Sequence, residues 1–303
     1  MSDPIRIFDR AIVRRHRDRA ARRLGDYDFL YRETAGRLAD RLEDVARDFP
    51  LVADIGCHGG EMADALRGRR GIETILQTDL SPAMARRAGG LSVAADEEFL
   101  PLRDGSLDAV VSNLSLHWVN DLPGTLVQIR RALKPDGLLL AAMLGGETLY
   151  ELRQCLTQAE VAVEGGLSPR VSPFTDSRDL GALLQRAGFA LPVVDSDLIT
   201  VRYENPMRLL DDLRGMGESN AVAERRKGFT RRTTLLTALE RYVAEFRDGD
   251  DGRLPATFHV LYMHAWAPHD SQQKPLRPGS AANRLADALK AEEFSLDDKP
   301  RQN

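Results

Sequence analysis

Three segments, each closing a short apolar run, carry the residue types that could grip a nucleoside. The first is Val52-Ala53-Asp54-Ile55-Gly56-Cys57-His58-Gly59-Gly60-Glu61. Its glycines let the backbone approach a ligand closely and free the amides at the head of the next helix. His58 stands where a G-x-G-x-x-G dinucleotide fingerprint needs its second glycine. Taken alone, the loop serves equally well as a turn that packs strand on helix. The second segment is Ile75-Leu76-Gln77-Thr78-Asp79, whose acid falls 19 residues past Gly60. A carboxylate there can accept from both hydroxyls of a ribose. The third is Ser92-Val93-Ala94-Ala95-Asp96. Asp96 can accept from an exocyclic amine such as adenine's, with Phe99, Leu100 and Leu102 as apolar surface for a ring. Each acid singly also reads as a loop cap, and their succession at neighbouring strand ends is what points to one ligand.

Such residues need strand tips to hold them. From Leu51 onward, short β-branched runs alternate with helical segments, the pattern of a parallel sheet covered by helices. Strands are expected near 51–55, 74–78, 92–95, 107–112 and 137–142, with a helix at 122–133 closed by Pro135-Asp136-Gly137. Helices at 147–164 and 177–187 and strands near 193–203 and 258–267 follow. A helix near 281–291 lies in a polar tail expected to be poorly ordered. At the front, residues 6–23 hold eight Arg and two Asp, with Ile5, Phe8 and Ile12 at helical spacing. This basic arm reads either as a solvated helix whose arginine stems cover the core or as a contact for an acidic partner or an anionic membrane.

Composition sets the class. The chain has 303 residues, 43 % hydrophobic and 29 % charged, enough to bury a core without covalent staples and unlike a disordered or collagenous chain. A net charge of −4 gives no global grip on nucleic acid. Cys57 and Cys155 form no CxxC pair, so no disulfide framework or zinc ribbon is expected, and a reducing compartment suits the chain. No apolar run approaches the ~20 residues needed to cross a bilayer, and no secretory signal is visible at the N-terminus. The expected location is the cytoplasm, with peripheral contact to the inner membrane through the arm as an open possibility.

The order DIGCxGG, TDLS, ADEEFLPLRDGSLDAVVSNLSLHW and LKPDG across about 50–145 resembles the class I S-adenosylmethionine-dependent methyltransferases. That resemblance implies a doubly wound, mostly parallel seven-stranded Rossmann-like α/β sheet with helical insertions, and S-adenosylmethionine as cofactor. Carried over, its binding residues are Asp54, Gly56, Cys57, Gly59, Gly60, Asp79, Leu80, Met84, Asp96, Glu97 and Asn113. The chain then divides into an arm (1–45), a cofactor-binding core (46–145), a C-terminal part with substrate-side helical insertions (146–268) and the tail (269–303). His58 departs from the family's glycine and is expected to reshape the amino-acid end of the pocket.

The strings DEEFLP, SNLSLHWVNDLP, GGETLYELR, SPFTDSRDLGALLQRAGF and GMGESN are similar to a narrower family, the respiratory complex I assembly factors of this fold, which act as arginine hydroxylases. The malonyl-acyl-carrier-protein methyltransferases resemble the chain more distantly. The narrower resemblance implies hydroxylation of an arginine on a complex I subunit. Methyl transfer to a small molecule or carrier protein, and non-catalytic assembly work, are the alternatives.

For methyl transfer, positioning would supply most of the acceleration, with a nearby base for a proton. His117, after the fourth strand, is the candidate base, or a ring that Trp118 packs into the pocket floor. Asn113-Leu114-Ser115-Leu116 lacks the Asn/Asp-Pro-Pro-aromatic signature of amino-group methylation. Glu147 in GGET and Glu218 in GMGESN are candidate receivers of a cationic side chain, or helix and loop caps. Asp121 has the same ambiguity. Hydroxylation commonly uses two His and a carboxylate on iron. His16 and Asp18 diverge on a helix, and His259, His264 and His269, spaced by five, alternate faces of a strand, so no shared metal is expected.

Overall fold

The computed structural model describes residues 6–249, 251–273 and 290. Residues Met1–Pro268 form one unit and His269–Asn303 another. The helix expected near 281–291 lies outside the described residues.

In chain order the elements are α1 (Arg10–Ala20), α2 (Phe29–Glu43), β1 (Leu51–Ile55), α3 (Glu61–Leu66), β2 (Thr74–Asp79), α4 (Pro82–Ala88), β3 (Leu91–Ala94) and β4 (Leu107–Asn113). There follow α5 (Leu122–Ala132), β5 (Leu133–Leu144), α6 (Tyr150–Glu164), α7 (Ser177–Arg186), β6 (Ala190–Tyr203), α8 (Pro206–Met216), α9 (Arg232–Phe246) and β7 (Leu254–Trp266). The strands make one seven-stranded sheet in the order β3-β2-β1-β4-β5-β7-β6. β1 to β5 pair in parallel, and β7 runs antiparallel between β5 and β6. Strand order reverses between β1 and β4, which opens a crevice at their carboxyl ends, where ligands approach sheets of this kind.

Because side chains alternate across a strand, neighbouring residues serve opposite cores. Val52, Val111 and Leu140 join one cluster with Leu38 of α2 and Tyr242 of α9. Ala53, Val110 and Leu139 join the other with Ile129 of α5 and Leu184 of α7. β4 is buried at all its positions, as a central strand covered on both faces must be. A third, small cluster of Phe8, Val13, Trp118, Ala221 and Val222 seats the N-terminal arm.

β5 begins earlier than the expected 137. Leu133 already pairs with Leu107, and the next registered pair is Ala109 with Leu138, so Pro135-Asp136-Gly137 forms an excursion inside the strand. Asp136, at φ 63°, supplies the left-handed turn there. α6 starts at Tyr150 because Gly145–Leu149 is a loop whose amides bond Thr175 and strand β7. Short β3 and long β6 are the sheet's edges. Asp195 and Asp197 of β6 pair with Arg41 (2.8 Å) and Arg37 (3.0 Å) of α2.

Candidate functional site

The strand tips converge as the sequence implied, and their acids are already engaged. α1 is amphipathic in an unexpected sense: Arg10, Val13, Arg17 and Ala20 fall at helical spacing on one stripe, and Val13, Arg17 and Ala20 are buried. Asp9 caps this helix by accepting from the Ile12 amide. The stripe lies over the tips of β2 and β4. Arg17, 1 % exposed, donates to Glu97 Oε1 (2.9 Å), to Asp79 Oδ2 (3.3 Å) and to Ser115 Oγ (2.8 Å). Arg10 donates to Asp96 Oδ1 (2.7 Å) and to Glu97 Oε2. The expectation that the arm's arginines face solvent or a partner is therefore corrected for these two: buried carboxylates demand a counter-charge, and the arm supplies it.

Backbone amides take further lone pairs of these acids. Asp79 Oδ1 accepts from the Ser81 amide (2.7 Å) and Oδ2 from the His58 amide (3.1 Å). Asp96 also accepts from the Glu98 amide (3.0 Å). Burial by itself would raise the Glu97 carboxyl, but Arg17 and Arg10 hold it down to about 2. Asp79 stays raised, because burial outweighs Arg17 there.

Gly56, at φ 73°, sits so close to β4's exit that a Cβ would lie 2.0 Å from Ser115 Oγ. Its close approach thus serves a side chain of this chain. Gly60, at φ 95°, opens α3, and Gly59 donates to Glu61. His58 is buried, stacked on Tyr31 at 4.1 Å, with Nε2 facing the carbonyls of Asn113 (3.1 Å) and Leu114 (3.2 Å). That geometry assigns the proton to Nε2. Burial, then the charge of Arg17, lowers the ring's pKa to about 3, so it rivets the glycine loop to β4 as a neutral group. Asn113 is spent on α2, accepting from Thr34 Oγ1 (2.7 Å) and donating to the Tyr31 carbonyl (2.8 Å). Met84 lies wholly inside the larger core, Leu80 packs against the small cluster, and the Cys57 thiol is buried.

Asp54 is fully buried, and neither carboxylate oxygen has a hydrogen-bond partner among the described residues. Burial, then Glu61 and Asp79, pushes its carboxyl well up. The folded chain therefore holds Asp54 protonated while the unfolded chain ionises it, so stability falls as pH rises from the unfolded pKa, about 3.9, toward the raised folded value. Asp54→Leu is expected to stabilise the chain by roughly 1–3 kcal/mol at neutral pH and to flatten that slope, because it removes an unsatisfied polar group of similar size. Denaturant titrations at several pH values check both, and a destabilised variant would mean that Asp54 has a partner.

A second centre lies beyond the acids. His117 and Trp118 follow β4, and Glu218 follows α8. Glu218, its side chain 6 % exposed, accepts from Trp118 Nε1 (2.8 Å) and Tyr31 Oη (2.9 Å), with His117 Nε2 at 3.1 Å. Burial would raise its carboxyl, but the hydrogen bond and charge of His117 bring it to about 2. The carboxylate borders a cavity of about 210 Å³ walled by Tyr31, Leu144, Leu149, Phe174 and Phe258. Of the sequence candidates, His117 and Glu218 meet here. Glu147 is exposed and its amide faces His259 Nδ1 (3.4 Å), outside the cavity lining. Asp121 caps α5 by accepting from the Gly124 amide (2.8 Å). Among the described residues, no three His, Cys, Asp or Glu side chains group as metal ligands. Sequence reasoning missed Tyr31, Ser115, Arg10 and Arg17.

The methyltransferase-domain family matches residues 53–141. Arginine-hydroxylase NDUFAF5 of Danio rerio is 46 % identical over 298 residues, spanning 96 % of this chain and 92 % of the relative. The chain belongs to the class I methyltransferase superfamily. Within it, malonyl-[acyl-carrier protein] O-methyltransferase of Methylovorus sp. is 37 % identical over 86 % of this chain and 90 % of that protein. Among solved structures, a Haemonchus contortus phosphoethanolamine N-methyltransferase, in complex with S-adenosylhomocysteine, shares the fold at 16 % identity and TM-score 0.52, over 85 % of this chain and 60 % of that one. The superfamily's adenosyl group does not fit the tips as they stand here, because Arg10 and Arg17 hold the acceptors it would need. Among the described residues, no helix is long and apolar enough to cross a membrane.

Proposed function

We propose that this member of the superfamily is an enzyme that receives an arginine side chain of a protein substrate, a respiratory complex I subunit, in the Glu218 cavity, where it is hydroxylated: a C–H bond becomes C–OH, with molecular oxygen as external oxidant giving one atom to the product and the other to water, and an external reductant giving two electrons. One observation carries the reading: similarity to the arginine hydroxylase, 46 % identity over 96 % of this chain, extends beyond the 53–141 core common to methyltransferases into segments that supply most of the cavity lining, 144–156, 170–174 and 210–220, while Leu114 and Trp118 line it from within that core. Apolar walls suit the methylenes of arginine. Glu218, ionised at neutral pH and bordered by the rings of Tyr31 and Trp118, suits its guanidinium. Arg170, also on the lining, does not compete as a cation, since Glu160 neutralises it at 2.7 Å. In this reading the chain's own residues bind and orient the substrate. Peripheral contact with an anionic membrane surface fits the exposed Arg15, Arg19 and Arg22 of the arm.

Mass spectrometry of the subunit from cells with and without this gene tests the proposal. The expected result is one added oxygen atom on an arginine, present only with the gene and lost with Glu218→Gln. An added methyl group assigns methyl transfer instead. An unmodified arginine in both strains, with assembly failing only without the gene, assigns a non-catalytic role.

A further inference from the structure

We propose that α1 is a cationic plug in the adenosyl site, so that an adenosyl ligand enters only by displacing Arg17 and Arg10 from the acids of the strand tips. The inference deepens the superfamily assignment of those tips and is separate from the arginine reading of the Glu218 cavity.

Three observations carry it. The acids the fold offers to a nucleoside are held by guanidinium groups of the same chain: Asp79 and Glu97 by Arg17, Asp96 and Glu97 by Arg10. Arg17 also takes Ser115 Oγ, the atom against which Gly56 is packed, so its guanidinium reaches from the ribose acid to the glycine loop. Guanidinium and nucleoside thus compete for the same carboxylates and for the space between the ribose acid and the glycine loop.

The helix that carries the plug is held by polar ties more than by buried apolar surface. Its apolar contacts belong to the small cluster with Phe8, Trp118 and Val222, and only Ala20 at its end joins a large core. Its other ties are polar: Asp18 accepting from Ser81 Oγ (2.5 Å), His16 Nδ1 against the Ser219 carbonyl (3.1 Å), Arg10 donating to the Trp118 carbonyl (3.1 Å) and, just ahead of the helix, the Asp9 amide on the Ala221 carbonyl (2.8 Å), Asp9 with Arg225 (3.4 Å) and Phe8 with Asn120 and Val222. Elements with little buried apolar contact open locally at a fraction of the global unfolding free energy. Displacement costs the buried acids their counter-charge, which ribose hydroxyls and the adenine amine offset only by donating hydrogen bonds, while the arginines regain water. Affinity is then reduced by the fraction of molecules with α1 withdrawn, and weakening the plug restores it.

The test pairs calorimetry with hydrogen exchange, using S-adenosylmethionine and the full chain. Arg17→Ala is expected to bind it at least about tenfold more tightly than the parent, with Arg17→Lys, which keeps the charge, in between. In the parent, the ligand is expected to speed exchange of the amides of residues 10–20. Equal or weaker binding by Arg17→Ala overturns the plug, as does slowed exchange in α1, which would make the helix a clamp over the ligand. Absence of binding by parent and variants alike at millimolar ligand also overturns it, because freeing the acids then makes no adenosyl site. Should Arg17→Ala not fold, hydrogen exchange on the parent and calorimetry on Arg10→Ala, the less buried of the two arginines, decide between plug and clamp in the same way. None of these outcomes bears on arginine oxygenation, which is read from the mass of the substrate.

Discussion

Replacing Glu218 by alanine is expected to lower the melting temperature by roughly 6–10 °C, the equivalent of on the order of 3–5 kcal/mol for a buried polar network that loses its charged member. The donors of Tyr31, Trp118 and His117 would be left without their shared acceptor. The sign of the pH dependence follows from the depressed carboxyl. Its folded pKa is about 2. The unfolded value is about 4.3, so Glu218 contributes on the order of 3 kcal/mol that is fully present above the unfolded pKa and is lost as pH falls toward 2. Glu97, held low by Arg17 and Arg10, adds to the loss in the same window. Glu218→Gln, which keeps the shape and one acceptor, is expected to show a shallower acid slope than the parent in denaturant titrations. Equal slopes would mean that Glu218 is not held ionised by this network.

Gly56→Ala is expected to cost roughly 2–5 kcal/mol, from a left-handed backbone that penalises a Cβ and from overpacking. The added methyl would sit 2.0 Å from Ser115 Oγ and 2.2 Å from Ser115 Cβ. Pairing it with Ser115→Gly separates the two costs. The double variant is expected to recover the steric part and keep the backbone part, a coupling that a double-mutant cycle on melting temperature measures. Additive effects would show that the residues are not in contact and that the loop has moved.

Much of the fold was legible because its signals are local. Alternating apolar runs and glycine turns marked all seven strands, with Asp79 closing β2 as expected and β4 running one residue past the expected 112, to Asn113. What local pattern could not give was charge pairing across the chain. Arg17 and Glu97 are 80 positions apart, and eight arginines in a short segment read as a solvated face because arginine is rarely buried. The signal lay in the spacing: Arg10 and Arg17 share a helical stripe with Val13 and Ala20, and the strand-tip and loop acids Asp79, Asp96, Glu97 and Glu98 needed counter-charges. Tyr31 was hidden for a related reason. It stands on α2, within what reads as the arm, yet its hydroxyl reaches Glu218 and its ring covers His58. His58 was expected to intrude on a pocket; it turns instead toward the β4 carbonyls, where an imidazole proton has acceptors.

The two borders of the sheet bear on how the protein behaves when concentrated. β3 is only four residues long, too short to template another strand. The other border, β6, is long and shows Leu191, Val193 and Leu198 to water, a sequence that invites sticking. Asp195 and Asp197, interleaved with those residues and tethered to α2, place negative charge where a docking chain would have to strip off its hydration. Colloidal stability therefore leans on two aspartates far from any chemistry, and neutralising both would trade a dispersed protein for one that self-associates along its rim.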